Sequence, residues 1–253
     1  MILSPLHEFP LINAGDDLGE IILISLSKSG VFVQNGDIIV IAQKVVSKAE
    51  GRAVNLRSIT PSENAIGLGE STGKDARLVE LILQESNEVL RYRRGTIIVE
   101  HRLGFVCANA GIDHSNVCGS GDQKDEWVLL LPEDPEKSAD NIRMRLEGKI
   151  GVQLGVMIID SHGRAWREGT AGVAIGISGL PGLVDFRGMK DLFGYEMRVT
   201  QVGVADELAA AASLLMGQTS EGKPVVHVRG FPYPLREASI QELLRSRETD
   251  LFR

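Results

Sequence analysis

Only two cysteines occur in the 253 residues, Cys107 and Cys118, and they form no CxxC pair of the kind that grips zinc. Aromatic residues are almost as scarce, at 7 Phe, 3 Tyr and 2 Trp against 28 Gly, which predicts an aliphatic core and many tight turns. No apolar run approaches the ~20 residues that span a bilayer. The start, Met1-Ile2-Leu3-Ser4-Pro5-Leu6, lacks the basic and long apolar stretches of a signal peptide. There is no excess of positive charge: the formal net charge is -7, which argues against wholesale nucleic-acid binding but leaves room for a local basic pocket. No internal repeat, low-complexity tract or Pro/Ser-rich linker is visible. These absences predict a cytoplasmic protein without nucleic-acid or membrane partners, built as one large domain or two small ones.

A standard nucleotide loop is missing too. Gly69-Glu70-Ser71-Thr72-Gly73-Lys74-Asp75 has three residues between its glycines, not four, and Asp75 stands where a P-loop needs a hydroxyl. A helix cap at Asp75 explains the segment better.

The patterning that is present predicts interspersed helices and strands. Asp16-Asp17 precede an amphipathic helix stopped at Gly30, and Gly36-Asp37 turns into a buried strand at 38–42. Asp75 to Leu90 reads as one helix. Thr96–Val99 and Phe105–Ala108 read as a hairpin, and Asp134-Pro135 starts a helix running to about Leu146. Strands follow at Gly155–Asp160 and Val173–Ile177, then a helix from Asp206 to Met216, a strand at Val225–Val228, and a final amphipathic helix over Ile240–Arg245. The order does not alternate strictly, so the fold class is α/β, or α+β, with a mixed sheet and no doubly wound Rossmann arrangement. A long loop from about Gly179 to Glu196 has the length of a functional one.

The chemistry concentrates in oxygen-rich segments. Asp113-His114-Ser115-Asn116 follows an apolar strand, Asp160-Ser161 closes another, and Gln218 follows the Met216-Gly217 helix end. Carboxylates, hydroxyls and amides are the donors that a hard divalent cation holding phosphate requires. An Asx-turn accounts equally for either aspartate alone, and Gln218 after a helix-ending glycine has the pattern of an ordinary exposed residue. Lys44 and Lys48, in Gln43-Lys44-Val45-Val46-Ser47-Lys48, follow the buried strand and suit phosphates as point charges, although a solvated basic turn explains them as well. His114 and His162 are general-base candidates whose position beside a cation ligand can be incidental. Arg164 and Arg167 present planar forks for carboxylate or phosphate, with packing on Trp166 as the competing explanation.

Five stretches in order, "GDIIVIAQKVVSKAEGR", "GFVCANAGIDHSNV", "LLPEDPEKSADNIR", "IIDSHGRAWREG" and "VTQVGVADELAAAASLLMG", resemble the coenzyme F420-0:γ-glutamyl ligase family over most of the chain, from about Pro10 to Gly230. The resemblance implies a family-specific ligase fold over residues 1–253, in one unit or two intertwined subdomains, and a homodimer. It implies GTP-dependent joining of L-glutamate, through its amine, to the terminal carboxylate of the deazaflavin F420-0; one or two glutamates, the second γ-linked, are the expectation, with the number set by pocket depth and the loop from about Gly179 to Glu196. It implies two divalent cations, Mg²⁺ or Mn²⁺, with potassium as an accompanying ion. Carried over, Asp113 and Asp160 hold the first cation, and Ser161, where the family usually has Thr, holds the second with Gln218. Nucleotide contacts fall on Pro10, Leu11, Ile12, Gln43, Lys44, Lys48, Asn116 and the segment from Leu214 to Glu221, including Met216, Gly217, Gln218, Thr219, Ser220 and Glu221. Gln43 departs from the Ser or Thr common in the family, which puts its nucleotide contact in doubt. Lys44, Lys48, Arg164 and Arg167 are the candidates for stabilising anions during the reaction. The flavin-binding nitroreductase-like domain of some members is not expected in a chain stopping at Arg253. Two other readings stay open: a nucleotide-dependent kinase or ligase for another acidic metabolite, and a non-catalytic deazaflavin-binding protein.

Overall fold

A computed structural model describes residues 1–117 and 126–252; Cys118 lies outside them. Its centre is a five-stranded mixed sheet of β1 (Ile2–Pro5), β12 (Val225–Arg229), β2 (Ile38–Ala42), β8 (Gly155–Arg164) and β9 (Arg167–Ser178), in that order. β2 and β8 run parallel, and every other pairing is antiparallel. Ile38–Ile41 of β2 are fully buried because the strand is covered on both faces, as a continuous apolar run requires. Alternation divides them: Ile39 and Ile41 join one core with Val156 and Ile158, whereas Ile38 and Val40 join a second with Met157 and Ile159.

The first core is closed by α1 (Leu18–Lys28), α2 (Gln43–Ala49), α4 (Ala76–Gln84) and α5 (Pro135–Ile150), and the second by α6 (Val204–Met216). The caps are those the sequence announces: Asp17, Asp75 and Asp134 each accept a backbone N–H in the first turn of α1, α4 and α5, satisfying donors left unpaired at a helix start. A three-stranded sheet of β4 (Ser86–Arg93), β5 (Thr96–His101) and β6 (Val106–Ala108) carries α3 (Glu63–Thr72) and α4. Two short ladders complete the structure, β3 (Ala53–Asn55) with β7 (Trp127–Leu129) and β10 (Val184–Asp185) with β11 (Gln201–Val202).

Mixed α/β architecture with a mixed sheet is therefore as expected, and several local expectations change. The helix read from Asp75 to Leu90 stops at Gln84, where the Ser86 hydroxyl donates to the Ile82 carbonyl. Val89, inside that expected helix, instead pairs with Val99 across β4–β5. The terminal helix over Ile240–Arg245 is a single tight turn, Ile240–Glu242. Glu242 accepts from the Gly182 and Leu183 N–H groups and from Arg236, which pins the turn to the loop before β10. The basic stretch after β2 is helix α2, and the loop from Gly179 to Glu196 includes β10 and a bridge from Lys190 to Glu196. β8 runs past Asp160 to Arg164, so Asp160 and Ser161 sit within a strand. Among the described residues no helix is long and apolar enough to cross a membrane.

Candidate active site

The parallel pair β2–β8 brings two distant segments to one edge of the sheet. Ala42, the last residue of β2, pairs with Ile159, so Gln43 and Lys44 emerge beside Asp160 and Ser161. Ligands in open α/β sheets gather at the carboxyl ends of strands. A cavity of about 760 Å³ opens there, walled by Gln43, Lys44, Lys48, Asn116, Asp160 and Ser161, by Pro10–Asn13, and by Met216–Pro224. Three loops from distant parts of the chain thus meet the end of β2 and the Asp160–Ser161 stretch within β8.

Asp113 is held by its own ladder contact, a backbone bridge with Leu129. Its Oδ2 accepts from Gln43 Nε2 at 2.8 Å, and its Oδ1 lies 3.5 Å from Lys44 Nζ. Lys44 also donates to Ser115 Oγ at 2.7 Å. Burial, reinforced by the negative charge of Asp160, pushes the Asp113 carboxyl up to about 6 in spite of Lys44. Burial, with Asp160 adding to it, also pushes the Cys107 thiol up to about 12, so Cys107 is packing and not a nucleophile. On β8, Ser161 Oγ donates to Gln218 Oε1 at 3.2 Å, and Gln218 Nε2 donates to Ser213 Oγ. Gly217 brings Gln218 into place: its φ is 75°, and an added Cβ would lie 2.2 Å from the Glu221 side chain. Glu221 folds back to accept the Thr219 N–H, which closes the turn. Asn116, itself at φ 57°, donates to the Thr219 carbonyl at 3.0 Å and links the two loops.

The Asp113 and Asp160 carboxylates, close enough for the charge of one to act on the other, are with the Ser161 hydroxyl and the Gln218 amide oxygen the oxygen donors that a hard cation takes. Among the described residues no group of three or more His, Cys, Asp or Glu side chains is arranged to hold a metal. One or two carboxylates completed by substrate phosphates is the usual protein share of a Mg²⁺ site, so the donor set fits that ion.

Of the sequence candidates, Pro10, Leu11, Ile12, Gln43, Lys44, Lys48, Asn116, Asp160, Ser161 and residues 216–221 all reach the cavity wall, and Asp113 stands behind Gln43 and Lys44. Ile12 belongs to the core as well, being only 7% exposed. His114 lines the cavity, whereas His162 turns towards Phe105, with ring centroids 5.2 Å apart. Its Nε2 lies 2.9 Å from Asp160 Oδ2 but misses hydrogen-bond geometry, leaving that nitrogen buried without a partner among the described residues. Arg164 and Arg167 are the exception. They pair across the exposed tip of the β8–β9 hairpin, roughly 10 Å along the strand from Ser161 at the usual rise per residue. Packing on Trp166 does not explain them: Trp166 faces Phe252, and the guanidinium over that ring belongs to Arg245. Sequence reasoning missed Ser213, Lys223 and Phe9. Lys223, in Gly222-Lys223-Pro224 just before a strand, carried the one legible signal.

The family model described as F420-0:Gamma-glutamyl ligase matches residues 7–230. The chain is 49% identical over 246 residues to a coenzyme F420:L-glutamate ligase of Methanothermobacter thermautotrophicus, covering 96% of this chain and 95% of the relative. It is 44% identical over 250 residues to the protein of the same name from Archaeoglobus fulgidus, covering 98% and 95%. With that of Methanosarcina barkeri it shares 39% over 248 residues, covering 98% and 92%.

Proposed function

The chain belongs to the F420-0:γ-glutamyl ligase family, and from that premise we propose that it joins L-glutamate to F420-0 at the cost of GTP. The observation that carries the proposal is the convergence of Lys44, Lys48, Asp160, Ser161 and Gln218 on one cavity from three separate stretches of chain. A carboxylate does not condense with an amine in neutral water, so it must first be activated. The acceptor carboxylate attacks the γ-phosphorus of GTP, GDP leaves, and an acyl phosphate forms. The neutral amine of glutamate then attacks the acyl carbon and expels phosphate, leaving an amide.

Asp113 and Asp160 would hold one Mg²⁺ or Mn²⁺, and Ser161 with Gln218 a second, with potassium as an accompanying ion. Divalent cations so placed neutralise the phosphate oxygens and favour an in-line geometry. Lys44 and Lys48 face the same space and stabilise the anions that gather there. The cavity wall formed by Pro10, Leu11 and Ile12, together with residues 216–221, takes the guanine nucleotide. Arg164 and Arg167, at the hairpin tip, grip the acidic tail of the acceptor outside the cavity, which limits addition to one or two glutamates. Arg167→Ala should then raise the KM for F420-0 several-fold and leave that for glutamate unchanged; a ladder of long polyglutamyl products from the parent protein would overturn the limit.

The chain works as a homodimer. Support comes from the arm around β10–β11, where Leu192 and Phe193 are 98% and 96% exposed, apolar surface that a lone soluble chain rarely leaves bare. The deciding assay incubates the protein with F420-0, L-glutamate, GTP and Mg²⁺ or Mn²⁺ and follows product mass and GDP. No glutamyl addition with any nucleotide would sink the reading, and addition with ATP alone would change the nucleotide and keep the reaction.

A further inference from the structure

Gln43 lines the cavity, yet both ends of its side-chain amide are already engaged within the protein. The residue is 1% exposed. Its Nε2 donates to Asp113 Oδ2 at 2.8 Å, and its Oε1 accepts from Ser47 Oγ, also at 2.8 Å. The orientation of the amide follows from chemistry: an ionised carboxylate only accepts, so the NH₂ must face Asp113 and the oxygen must face a donor. Ser47 is that donor, four residues on along α2 and fully buried. The helix therefore builds a two-bond chain, hydroxyl to amide to carboxylate, that fixes one oxygen of Asp113 and leaves the other towards Lys44.

We infer that Gln43 is a positioning residue that, braced by Ser47, orients the Asp113 carboxylate for a divalent cation and makes no contact with the nucleotide. The inference rests on the cation reading of Asp113 given above. A side chain that aims a ligating carboxylate is felt first in metal affinity, with losses of about ten- to a hundredfold when it is removed. A side chain that touches nucleotide would be felt in the KM for GTP instead.

The test measures Mn²⁺ binding to the intact protein without nucleotide, by electron paramagnetic resonance or calorimetry, and the KM for GTP at saturating Mn²⁺. Gln43→Met keeps length and removes both hydrogen bonds; it should raise the Kd for Mn²⁺ about ten- to a hundredfold and leave the KM within about twofold. Ser47→Ala removes only the brace and should move the Kd in the same direction by less. It also serves as the working variant should Gln43→Met fail to fold. An unchanged Mn²⁺ Kd in the variants would overturn the inference, as would a raised KM for GTP with metal affinity intact. Asp113→Asn separates the two levels. If the parent protein binds no Mn²⁺, or binds it equally well without the Asp113 charge, the cation reading itself falls and takes this inference with it.

Discussion

His101 sits fully buried beneath Phe105, their rings stacked with centroids 5.1 Å apart. Its Nδ1 accepts the Leu103 N–H, which places the proton on Nε2, 3.7 Å from Glu85. Glu85 favours the charged ring, but burial wins and pushes the imidazole down to about 4. The unfolded chain therefore binds a proton that the folded one refuses between about pH 6.5 and 4. Stability from this group is complete above 6.5 and is lost as the pH falls through that window, by roughly 3 kcal/mol at most. Urea unfolding at pH 7 and pH 4.5 should show that loss, and His101→Gln should flatten it; an equal slope in both proteins would assign the acid sensitivity elsewhere. Asp160 tests a different property. Asp160→Asn keeps size and removes the charge facing a cation, so turnover should fall a hundredfold or more with the melting temperature nearly unchanged. Ser161→Thr keeps the hydroxyl and should stay within about threefold. Loss of fold in Asp160→Asn would make the residue structural. The aspartates were legible as hard-cation donors at strand ends and the lysines as point charges for phosphate after a buried strand, whereas Gln218 had only the family resemblance to mark it. That both ends of the Gln43 amide are occupied was not legible, since its partners Ser47 and Asp113 are recognisable only once α2 and the bridge at Leu129 are placed.

At the scale of elements, helices with a capping carboxylate and strands with an unbroken apolar run were readable in advance. α1, α5, β2 and β12 all lie where the pattern puts them. The failures have two local causes. β4 is amphiphilic with two register shifts against β5, so its apolar residues fall at intervals that also suit a helix, and only pairing with β5 decides between them. β1 and β3 are too short to be distinguished from loop by their own sequence. Packing between elements also rests on what side chains leave out. In β9 the pairing passes from Ile158–Gly176 to Ile159–Ala174, leaving Ile175 as an extra residue, and a Cβ on Gly176 would meet Pro135 backbone atoms at 2.5 Å. Backbone cannot yield as a flexible side chain can, so Gly176→Ala should cost about 1–3 kcal/mol by forcing α5 away from the sheet. Gly148, exposed in the last turn of α5 with open space around it, is the control. Gly148→Ala should gain about 0.4–1 kcal/mol, because alanine restricts the unfolded chain and fits a helix. Thermal unfolding of both variants checks the pair, and a neutral Gly176→Ala would show that α5 can shift freely.

For the whole molecule, the two cores lie on opposite faces of one sheet and share its strands. Charge substitution at the bare arm tests the assembly: Leu192→Asp with Phe193→Asp should convert a dimer to a monomer in light scattering, and an unchanged mass would place the contact elsewhere. At the other end of the sheet from the cavity, Asp37 is 2% exposed and gathers His227 at 2.7 Å and Arg229 in a two-pronged contact. These hydrogen bonds hold its carboxyl below the usual range despite burial, so one end of β2 is locked to β12 while the other opens on the cavity. The parallel neighbours β2 and β8 come from opposite halves of the chain, and β12, which closes β2 on its other side, is the last of the described strands to be synthesised. A chain released only as far as Asp160 carries Lys44, Asp113 and Asp160 but lacks residues 216–224 of the cavity wall and β12. The cavity wall formed by residues 216–224, the segment that leads into β12, is therefore held in place only once that strand lies between β1 and β2.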